Sequence, residues 1–349
     1  MGIGTAKKLA VLGMALMCLY LLFMGQLRKT AETAVEAGRM KNVEIVLPTP
    51  APEAEQAEVP AEEIPESETA EADPTPLSLP EASEAPLSQP MGDRNLEQIQ
   101  ETTISGGLSI KNETSYDIDV SGMLLEGSQV KLPDGEPQIL IVHTHSSEAY
   151  TPAGLDRYEA SDTNRTEDKE YNIVRVGDEL TALLQQAGLN VIHDREIYDY
   201  PSYTGSYERS GAAVQSYLEQ YPSIAVVIDM HRDALGANGV VYKTMAEESG
   251  VCASQVMLLV GTDDSGLYHP NWRSNLSLAL YLQNAVSAVH PTLMRPVALV
   301  QQRYNQHLTG GSLILEVGSS GNTLQEALAA IRLFADAAAP ALLALVDEA

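Results

Sequence analysis

The segment Gln138–Val142 constrains the fold of this 349-residue chain more than any other stretch. Ile139 to Val142 form a short, uninterrupted apolar run, which is the pattern of a β-strand buried on both faces. Directly after this run come His143, His145 and Glu148. A buried strand that ends in imidazole and carboxylate groups predicts an α/β sheet with a functional site at the strand end. Those groups are zinc ligands by type.

Strand-like and helix-like runs alternate through the C-terminal part of the chain. The predicted strands are Gln138–Val142, Asn190–His193, Ile224–Asp229, Val256–Gly261 and Leu313–Val317, and the predicted helices are Tyr171–Ala187, Ser210–Gln220, Trp272–Val289 and Thr323–Val346. Gly188 is a helix stop, Thr323 and Glu326 have the capping-box spacing, and Pro340 is expected to kink the last helix. This alternation predicts an α/β fold, a mainly parallel sheet with helices on both faces.

Polar residues follow or end three of these strands. The second apolar strand runs into Asp229, His231, Arg232 and Asp233, and the last strand carries Glu316. In an open parallel sheet the carboxyl ends of the strands lie at one edge, where ligands bind. We therefore expect these residues to converge with the cluster that follows Val142.

His145, Glu148 and His231 are the predicted metal ligands, because a catalytic zinc needs about three protein ligands and one open position. His145 and Glu148 are three residues apart, so a turn brings both side chains to one side. His143 is an alternative ligand, since in an extended chain it points to the same face as His145. The spacing to Glu148 favours His145.

Two further residues have predicted catalytic roles. Glu316 is the general base and acid, which takes a proton from water and passes it to the leaving amine. Arg232 either anchors a substrate carboxylate or bridges to an internal acid. Asp233 is expected to accept a hydrogen bond from the ring nitrogen of a ligand histidine that does not face the metal.

Polar residues in two loops are candidates for substrate binding. Arg273 and Asn275 follow Trp272 at a predicted helix start, where Asn271 is expected to be only the cap. The run Arg303, Tyr304 and Asn305 lies in a polar loop before Gly310, and it is either a substrate rim or a solvated loop. The remaining histidines have no acidic or histidine neighbours at ligand spacing and are predicted to be surface or strand-end residues; they are His193, His269, His290 and His307.

Residues 1–29 are predicted to be a membrane anchor. Lys7 and Lys8 precede an apolar run of 17 residues, Leu9 to Gly25, which is just long enough to span a bilayer. A cleaved signal peptide is the alternative, but no small-x-small cleavage site follows before Arg28. The basic start favours an N-terminus inside the cell.

Residues 30–104 are predicted to be a disordered, acidic, Pro-rich linker. No basic residue occurs between Lys41 and Arg94, whereas Asp and Glu occur 13 times from Glu44 to Asp93. Such a segment cannot bury a core, and its charge accounts for about half of the net −27 and argues against nucleic-acid binding. The remaining residues, 105–349, are long enough for one domain. Only Cys18 and Cys252 occur, so no disulfide framework is expected.

Five segments together resemble the stage II sporulation protein P family of endospore-forming bacteria. They are QILIVHTHSSEAYTP, YNIVRVGDEL, VVIDMHRDA, NWRSNLSLALYLQ and SLILEVGSSGNTLQEAL, in the same order from about Pro137 to Ala330. The anchor and the acidic linker are also similar to the layout of that family. The resemblance implies a zinc amidase-like (phosphorylase/hydrolase-like) fold in residues 105–349.

The resemblance also implies an activity and a location. The activity is that of a Zn²⁺-dependent N-acetylmuramoyl-L-alanine amidase, which also cuts peptide cross-links and acts on peptidoglycan during forespore engulfment. The location is the cell membrane, with a single span and the catalytic domain outside the cytoplasm, between the mother cell and forespore membranes. The implied partners are peptidoglycan, a lytic transglycosylase (stage II sporulation protein D) and a membrane anchor protein (stage II sporulation protein M).

The related zinc amidases end their last strand in a catalytic glutamate before a glycine turn and an asparagine, which maps onto Glu316, Gly318 and Asn322. Their glutamate ligand lies farther from the first histidine than Glu148 does, so Asp168 and Glu170 are rival ligands. Two other functions remain open: a non-catalytic wall-binding scaffold for a lytic partner, and a metallocarboxypeptidase-like peptidase.

Overall fold

The computed structural model describes residues 99–104, 108–154, 156, 158, 160–161, 164–237 and 240–347. The predicted membrane anchor and nearly all of the predicted linker lie outside these residues. Within the described part, no helix combines the length and the apolar character needed to cross a membrane.

Eleven strands and five α-helices make up the described part. The strands are β1 (Ile99–Thr102), β2 (Ile110–Asn112), β3 (Ile139–Val142), β4 (Val191–His193), β5 (Val226–Asp233), β6 (Gly236–Ala237), β7 (Val240–Glu248), β8 (Val251–Ser254), β9 (Val256–Gly261), β10 (Val297–Val300) and β11 (Gly311–Ser319). The helices are α1 (Val120–Glu126), α2 (Ile173–Ala187), α3 (Ser206–Gln220), α4 (Trp272–Val289) and α5 (Leu324–Leu343). A 3-10 helix, Gln306–Leu308, precedes β11.

The main sheet has seven strands in the order β2, β10, β9, β11, β5, β3, β4. Every neighbouring pair is parallel except β9 and β11, which are antiparallel. The prediction of a mainly parallel sheet is therefore confirmed. The reversal between β9 and β11 divides the sheet into two groups of strands, whose carboxyl ends lie at opposite edges.

Helices cover both faces of the sheet, as predicted, but unequally. Ile139 and Ile141 belong to the large core under α2, α4 and α5, whereas Leu140 and Val142 belong to a small cluster with Val214 of α3. All four β3 residues are buried because each face is covered. This explains why the strand shows an unbroken apolar run rather than alternation.

Helix ends follow the local signals that the sequence carries. The Asn172 side chain accepts from Val174 N at the start of α2, and Gly188 ends that helix with φ 106°. The predicted capping box is present, with Thr323 and Glu326 bonded reciprocally at the start of α5. Pro340 lies within α5, which ends at Leu343 rather than at Val346.

Three boundaries differ from the predictions. β5 continues past Asp229 to Asp233, so His231 and Arg232 lie in the strand and not in a loop after it. α3 begins at Ser206 and not at Ser210. Its N-cap is Gly205, which adopts a left-handed conformation, and its first turn lacks the apolar residues by which the helix was predicted. β1 lies inside the predicted linker, where it pairs in parallel with β7 in a smaller sheet that also contains β6 and β8.

Candidate active site

The candidate active site lies at the carboxyl ends of β3, β5 and β11, which are adjacent and parallel. β3 ends at Val142, and the chain turns immediately. Thr144 fastens this turn to β5, since its amide and hydroxyl donate to the two oxygens of Asp229 at 2.8 and 2.6 Å. The turn brings His145 over the end of β5.

His145, Glu148 and His231 form one buried cluster, as predicted. Their residues are 7%, 6% and 4% exposed. Glu148 Oε2 lies 3.5 Å from His231 Nδ1, and the rings of His145 and His231 meet edge to face with centroids 5.3 Å apart. Side chains 86 residues apart in sequence are therefore in contact at this edge of the sheet.

Arg232 holds Glu148 in place. Its backbone N–H donates to Glu148 Oε2 at 3.0 Å, and its guanidinium Nη1 lies 3.8 Å from Oε1. Burial raises the pKa of the Glu148 carboxyl, but the Arg232 charge and the bond with His231 outweigh it and hold that pKa well below the ordinary value. Glu148 is thus an ionised, fixed carboxylate.

Arg232 is not available to a substrate, which corrects its predicted catalytic role. The residue is 5% exposed. Its Nε and Nη2 donate to the carbonyl oxygens of Ala149 and Asn164, both at 2.9 Å. Of the two roles that the sequence left open, the structure favours the bridge to an internal acid.

Asp229 is a site residue to which the sequence analysis assigned no role. It lies two residues before His231 on β5, hence on the same face of the strand, and its Oδ1 is 3.0 Å from His231 Nε2. Burial lowers the pKa of His231, but Asp229 and Glu148 outweigh it and raise that pKa well above the ordinary value. The role predicted for Asp233 therefore belongs to Asp229. Asp233 instead pairs with Arg295 at 2.8 Å.

Glu316 lies on β11 in register with His231 on β5. Its Oε2 is buried and has no hydrogen-bond partner among the described residues. Burial and, after it, the charge of Asp233 raise the pKa of Glu316 to about 8. Such a carboxyl group exchanges protons near neutral pH, which general acid–base catalysis requires.

His143 lies outside this cluster, contrary to the expectation that it shares a face with His145. Because β3 ends at Val142, the two histidines lie on a turn and diverge. His143 is fully buried; Nδ1 donates to Met230 O at 3.2 Å, and Nε2 is 2.8 Å from His193 Nε2. The His143 ring therefore bonds to β5 and β4, whereas the His145 ring contacts that of His231, which favours His145 as the ligand.

Three tyrosines form a wall beside His145, and the sequence analysis pointed to only one of them, Tyr304. Tyr203 stacks on the His145 ring at 4.5 Å, with its hydroxyl 3.1 Å from Nε2. Tyr207 meets the same ring edge-on at 5.4 Å, and Tyr304 contacts Tyr207 at 5.4 Å. Tyr203 and Tyr207 are four residues apart, before and within the first turn of α3, whereas Tyr304 comes from a distant loop, which sequence spacing cannot bring to them.

Of the three predicted substrate contacts, only Asn305 lies near this wall. Its Nδ2 donates to Tyr207 O at 2.8 Å. Asn275 is fully buried, and its side chain accepts from Ser312 N at 3.1 Å. Ser312 lies four residues before Glu316 on β11, so Asn275 contacts the strand roughly 13 Å away from Glu316. Arg273, in the first turn of α4, is exposed, and its guanidinium carbon lies 4.3 Å from the centre of the Trp272 ring. The antiparallel step between β9 and β11 thus places both residues at the opposite edge, which corrects their predicted role.

Of the other four histidines, which were predicted to be surface or strand-end residues, His193 ends β4 as predicted, whereas none of the four is an exposed surface residue. His193 is half-buried and bonded to His143, and His290 is buried 3.2 Å from Asp336. His269 is fully buried, and His307 is half-buried beside it. Asn271 occupies the helix N-cap position without a side-chain cap bond; its Nδ2 donates to His307 O instead.

The predicted zinc ligands fit zinc by donor type, because two imidazoles and one carboxylate meet in a buried cluster. In the part of the chain that the structure describes, no three His, Cys, Asp or Glu side chains have the geometry to hold a metal ion. His231 Nε2 is buried, with the Asp229 carboxylate 3.0 Å away. Since a ligand nitrogen must be deprotonated, zinc binding requires His231 to lose the proton that Asp229 and Glu148 stabilise.

The family model of Stage II sporulation protein P (SpoIIP) matches residues 32–339. The chain belongs to this family. Stage II sporulation protein P of Bacillus subtilis (strain 168) is 27% identical over 209 residues, which are 57% of this chain and 49% of that protein. The matched region thus spans about half the length of that curated relative.

Solved structures of amidases are similar to this chain. The N-acetylmuramoyl-L-alanine amidase AmiC2 of Nostoc punctiforme is 15% identical with a TM-score of 0.36, covering 60% of this chain and 97% of that one. The CwlD amidase from Clostridioides difficile, solved in complex with the GerS lipoprotein, is 14% identical with a TM-score of 0.34, covering 60% and 98%.

The turn after Glu316 has the residues that the family resemblance implied. Gly318 adopts φ 68°, and a Cβ there would lie 2.8 Å from Ser254 Cβ. Asn322 is buried, and its Oδ1 accepts from the amides of Ser319 and Thr244 at 3.0 and 3.1 Å. Both residues shape the turn that follows the catalytic candidate.

The rival ligands Asp168 and Glu170 lie before α2 and are exposed. Asp168 Oδ1 accepts from Glu170 N at 3.0 Å, which closes a local turn. Among the described residues, no hydrogen bond or ion pair joins either of them to the histidine cluster. The structure therefore favours Glu148 over both.

Proposed function

We propose that this chain is a zinc-dependent N-acetylmuramoyl-L-alanine amidase that hydrolyses the amide between N-acetylmuramic acid and the L-alanine of the peptidoglycan stem peptide. The observation that carries the proposal is Glu316, a carboxyl group with a pKa raised to about 8, in register with His231 of a His-Glu-His cluster. Membership of the Stage II sporulation protein P family supports a role in sporulation.

The chemistry follows from the protonation states of the site. A carboxyl group with a pKa near the working pH both accepts and returns a proton readily. Glu316 takes a proton from the attacking water and delivers it to the nitrogen of the leaving L-alanine. A zinc ion held by His145, Glu148 and His231 would supply Lewis-acid polarisation of the scissile carbonyl.

The tyrosine wall supports a polymeric substrate. Tyr203 is 57% exposed, and Tyr200 of the same loop is 44% exposed. Aromatic faces next to a reaction centre offer stacking surface to sugar rings and peptide groups. Asn305 fixes the backbone of Tyr207 and thereby the inner part of this wall.

The proposal includes the location and partners. The chain is held in the membrane by residues 1–29, and residues 30–104 carry the catalytic domain outward to the wall during engulfment. Stage II sporulation proteins D and M are the proposed partners, and peptide cross-links are a proposed second substrate. These parts rest on the family and on the sequence.

The test is product analysis. The full chain, loaded with zinc, is incubated with purified peptidoglycan, and the products are analysed by mass spectrometry. We expect free lactyl groups on muramic acid and stem peptides that begin with a free L-alanine amine, with both lost on chelation and in Glu316→Gln. Shortened stem peptides with the lactyl amide intact would indicate a peptidase instead. Binding without any product would indicate a scaffold.

A further inference from the structure

A second cluster of polar side chains lies on the loops after β9 and β10, next to Tyr304 and Asn305 of the tyrosine wall. β9 runs antiparallel to β11, so the loop after β9 leaves the sheet where β11 begins. This loop carries His269, and the loop after β10, which is parallel to β9, carries Arg303 and His307. The function proposed above uses none of these three residues.

His269 is a buried histidine whose ring nitrogens are unsatisfied in the part of the chain that the structure describes. It is fully buried, and within the described residues neither of its ring nitrogens has a hydrogen-bond partner. Nδ1 of His307 is also buried and unpartnered among them, and the two rings meet edge to face with centroids 6.4 Å apart. Burying a polar group without a partner costs free energy. Two such rings in contact therefore point to a ligand between or beside them.

Arg303 indicates the charge of that ligand. Its Nη1 donates to Tyr268 O at 3.3 Å, while its Nε is buried and lacks a partner among the described residues. Burial, then the neighbouring His307 and Arg303, lower the pKa of His269 to about 4, although Asp263 opposes them. A metal cation would be repelled by the guanidinium next to both rings. An anion would be attracted by it.

The amino end of α4 adds to the same cluster. Asn271 is the N-cap residue, but its side chain makes no cap bond and instead donates to His307 O at 2.9 Å. The first turn of this 18-residue helix therefore presents backbone amides that the N-cap side chain does not satisfy. The acids of the preceding loop are occupied: Asp263 accepts from Tyr116 OH, and Asp264 accepts from Ser115.

We propose that His269, His307, Arg303 and the amino end of α4 form a binding site for a phosphate-type oxyanion. Imidazole, guanidinium and helix-terminal N–H groups are all donors, and a tetrahedral oxyanion has acceptors for each of them. Arg303 supplies the positive charge of the site, and the two rings supply neutral N–H donors. The same chemistry is carried by free phosphate and by the phosphodiester groups of a polyanionic polymer.

The experiment follows the chain's seven histidines by NMR in the full chain labelled at the ring Cε1 position. Titration with inorganic phosphate at constant ionic strength is expected to shift two of the signals saturably. His269→Gln and His307→Gln assign these signals. Dimethyl phosphate in a parallel titration distinguishes the sources, since equal binding would indicate a phosphodiester ligand and weaker binding a free phosphate.

Arg303→Gln is expected to weaken phosphate binding about tenfold, because a charge-assisted bond is lost. Arg332→Gln is the matched control: it removes the same charge from α5, where the side chain is 55% exposed, and should leave the affinity unchanged. The proposal is overturned if phosphate shifts none of the signals in the unmodified protein. It is also overturned if Zn²⁺ shifts the two signals and phosphate does not. Neither result bears on peptidoglycan cleavage.

Discussion

Glu316 and His231 form the last regular pair between β11 and β5 before the register shifts toward Ser319 and Asp233. The irregularity includes Gly318, which has a positive φ. β-Bulges commonly redirect a side chain next to an active site. The sheet therefore ends its regular pairing at the two residues on which the proposed chemistry depends.

Glu316→Gln tests the proton-transfer role. Glutamine keeps the size of the side chain but cannot exchange a proton, so we expect amidase activity to fall about 10²- to 10⁴-fold. Zinc content should be unchanged, because Glu316 is not among the proposed ligands. Turnover of peptidoglycan and bound zinc are measured on the same preparation. Activity within a few-fold of the unmodified chain would contradict the role.

His145→Ala and His143→Ala distinguish the two histidines that the sequence left open. His145→Ala should abolish stoichiometric zinc, as should His231→Ala. His143→Ala should keep zinc, since its ring nitrogens bond to Met230 and His193, and should lower the free energy of unfolding by about 1–3 kcal/mol. Zinc analysis and urea denaturation measure both quantities. Loss of zinc from His143→Ala alone would reverse the assignment.

Gly177→Ala tests the packing of the His143–His193 pair against α2. In an exposed helix interior this change stabilises by up to about 1 kcal/mol. Here the added Cβ would lie 2.6 Å from His143 Nε2 and 2.7 Å from His193 Nε2. We therefore expect the opposite sign, a loss of about 1–3 kcal/mol in urea denaturation. In a His143→Ala, His193→Ala background the same change should be neutral or stabilising, and a loss there would show that helix packing and not the ring pair is responsible.

Glu326→Gln tests the charge at the start of α5. Burial raises the pKa of Glu326, but bonds from Thr323, Asn322 and Lys243 outweigh it and hold that pKa below the ordinary 4.5. A lowered carboxyl pKa stabilises the fold above the unfolded value, and the contribution is lost as the pH falls through the folded value. The unmodified chain should thus exceed Glu326→Gln in stability at pH 7. The difference should shrink as the pH falls below the ordinary carboxyl pKa and vanish once it is below the lowered pKa of the folded state.

Urea denaturation across this pH range measures that difference. Glu101→Gln is the control, because Glu101 also lies 3.0 Å from Lys243 but is 70% exposed. We expect little effect from it at any pH. A difference for Glu326→Gln that persists unchanged in acid would show that the hydrogen bonds and not the charge are responsible.

Much of the architecture could be predicted because it rests on local signals. The apolar run of β3 requires cover on both faces, Gly188 supplies the left-handed residue that ends α2, and Thr323 with Glu326 caps α5. The His145–Glu148 spacing and the polar ends of β5 and β11 likewise indicated the site. Strand polarity alone then brings these three strand ends together.

Other features were decided by tertiary structure, because they depend on contacts between distant segments. The exact end of β3 makes His143 and His145 diverge, and the antiparallel β9 moves Arg273 and Asn275 to the opposite edge from Glu316. Asp229 rather than Asp233 backs His231, and the tyrosine wall joins residues from separate loops. The amino-acid sequence determines which groups are available for chemistry. Which of these groups meet depends on the direction of each strand in the sheet and on the point where its pairing ends. The reason is that side-chain orientation depends on register and not on residue type.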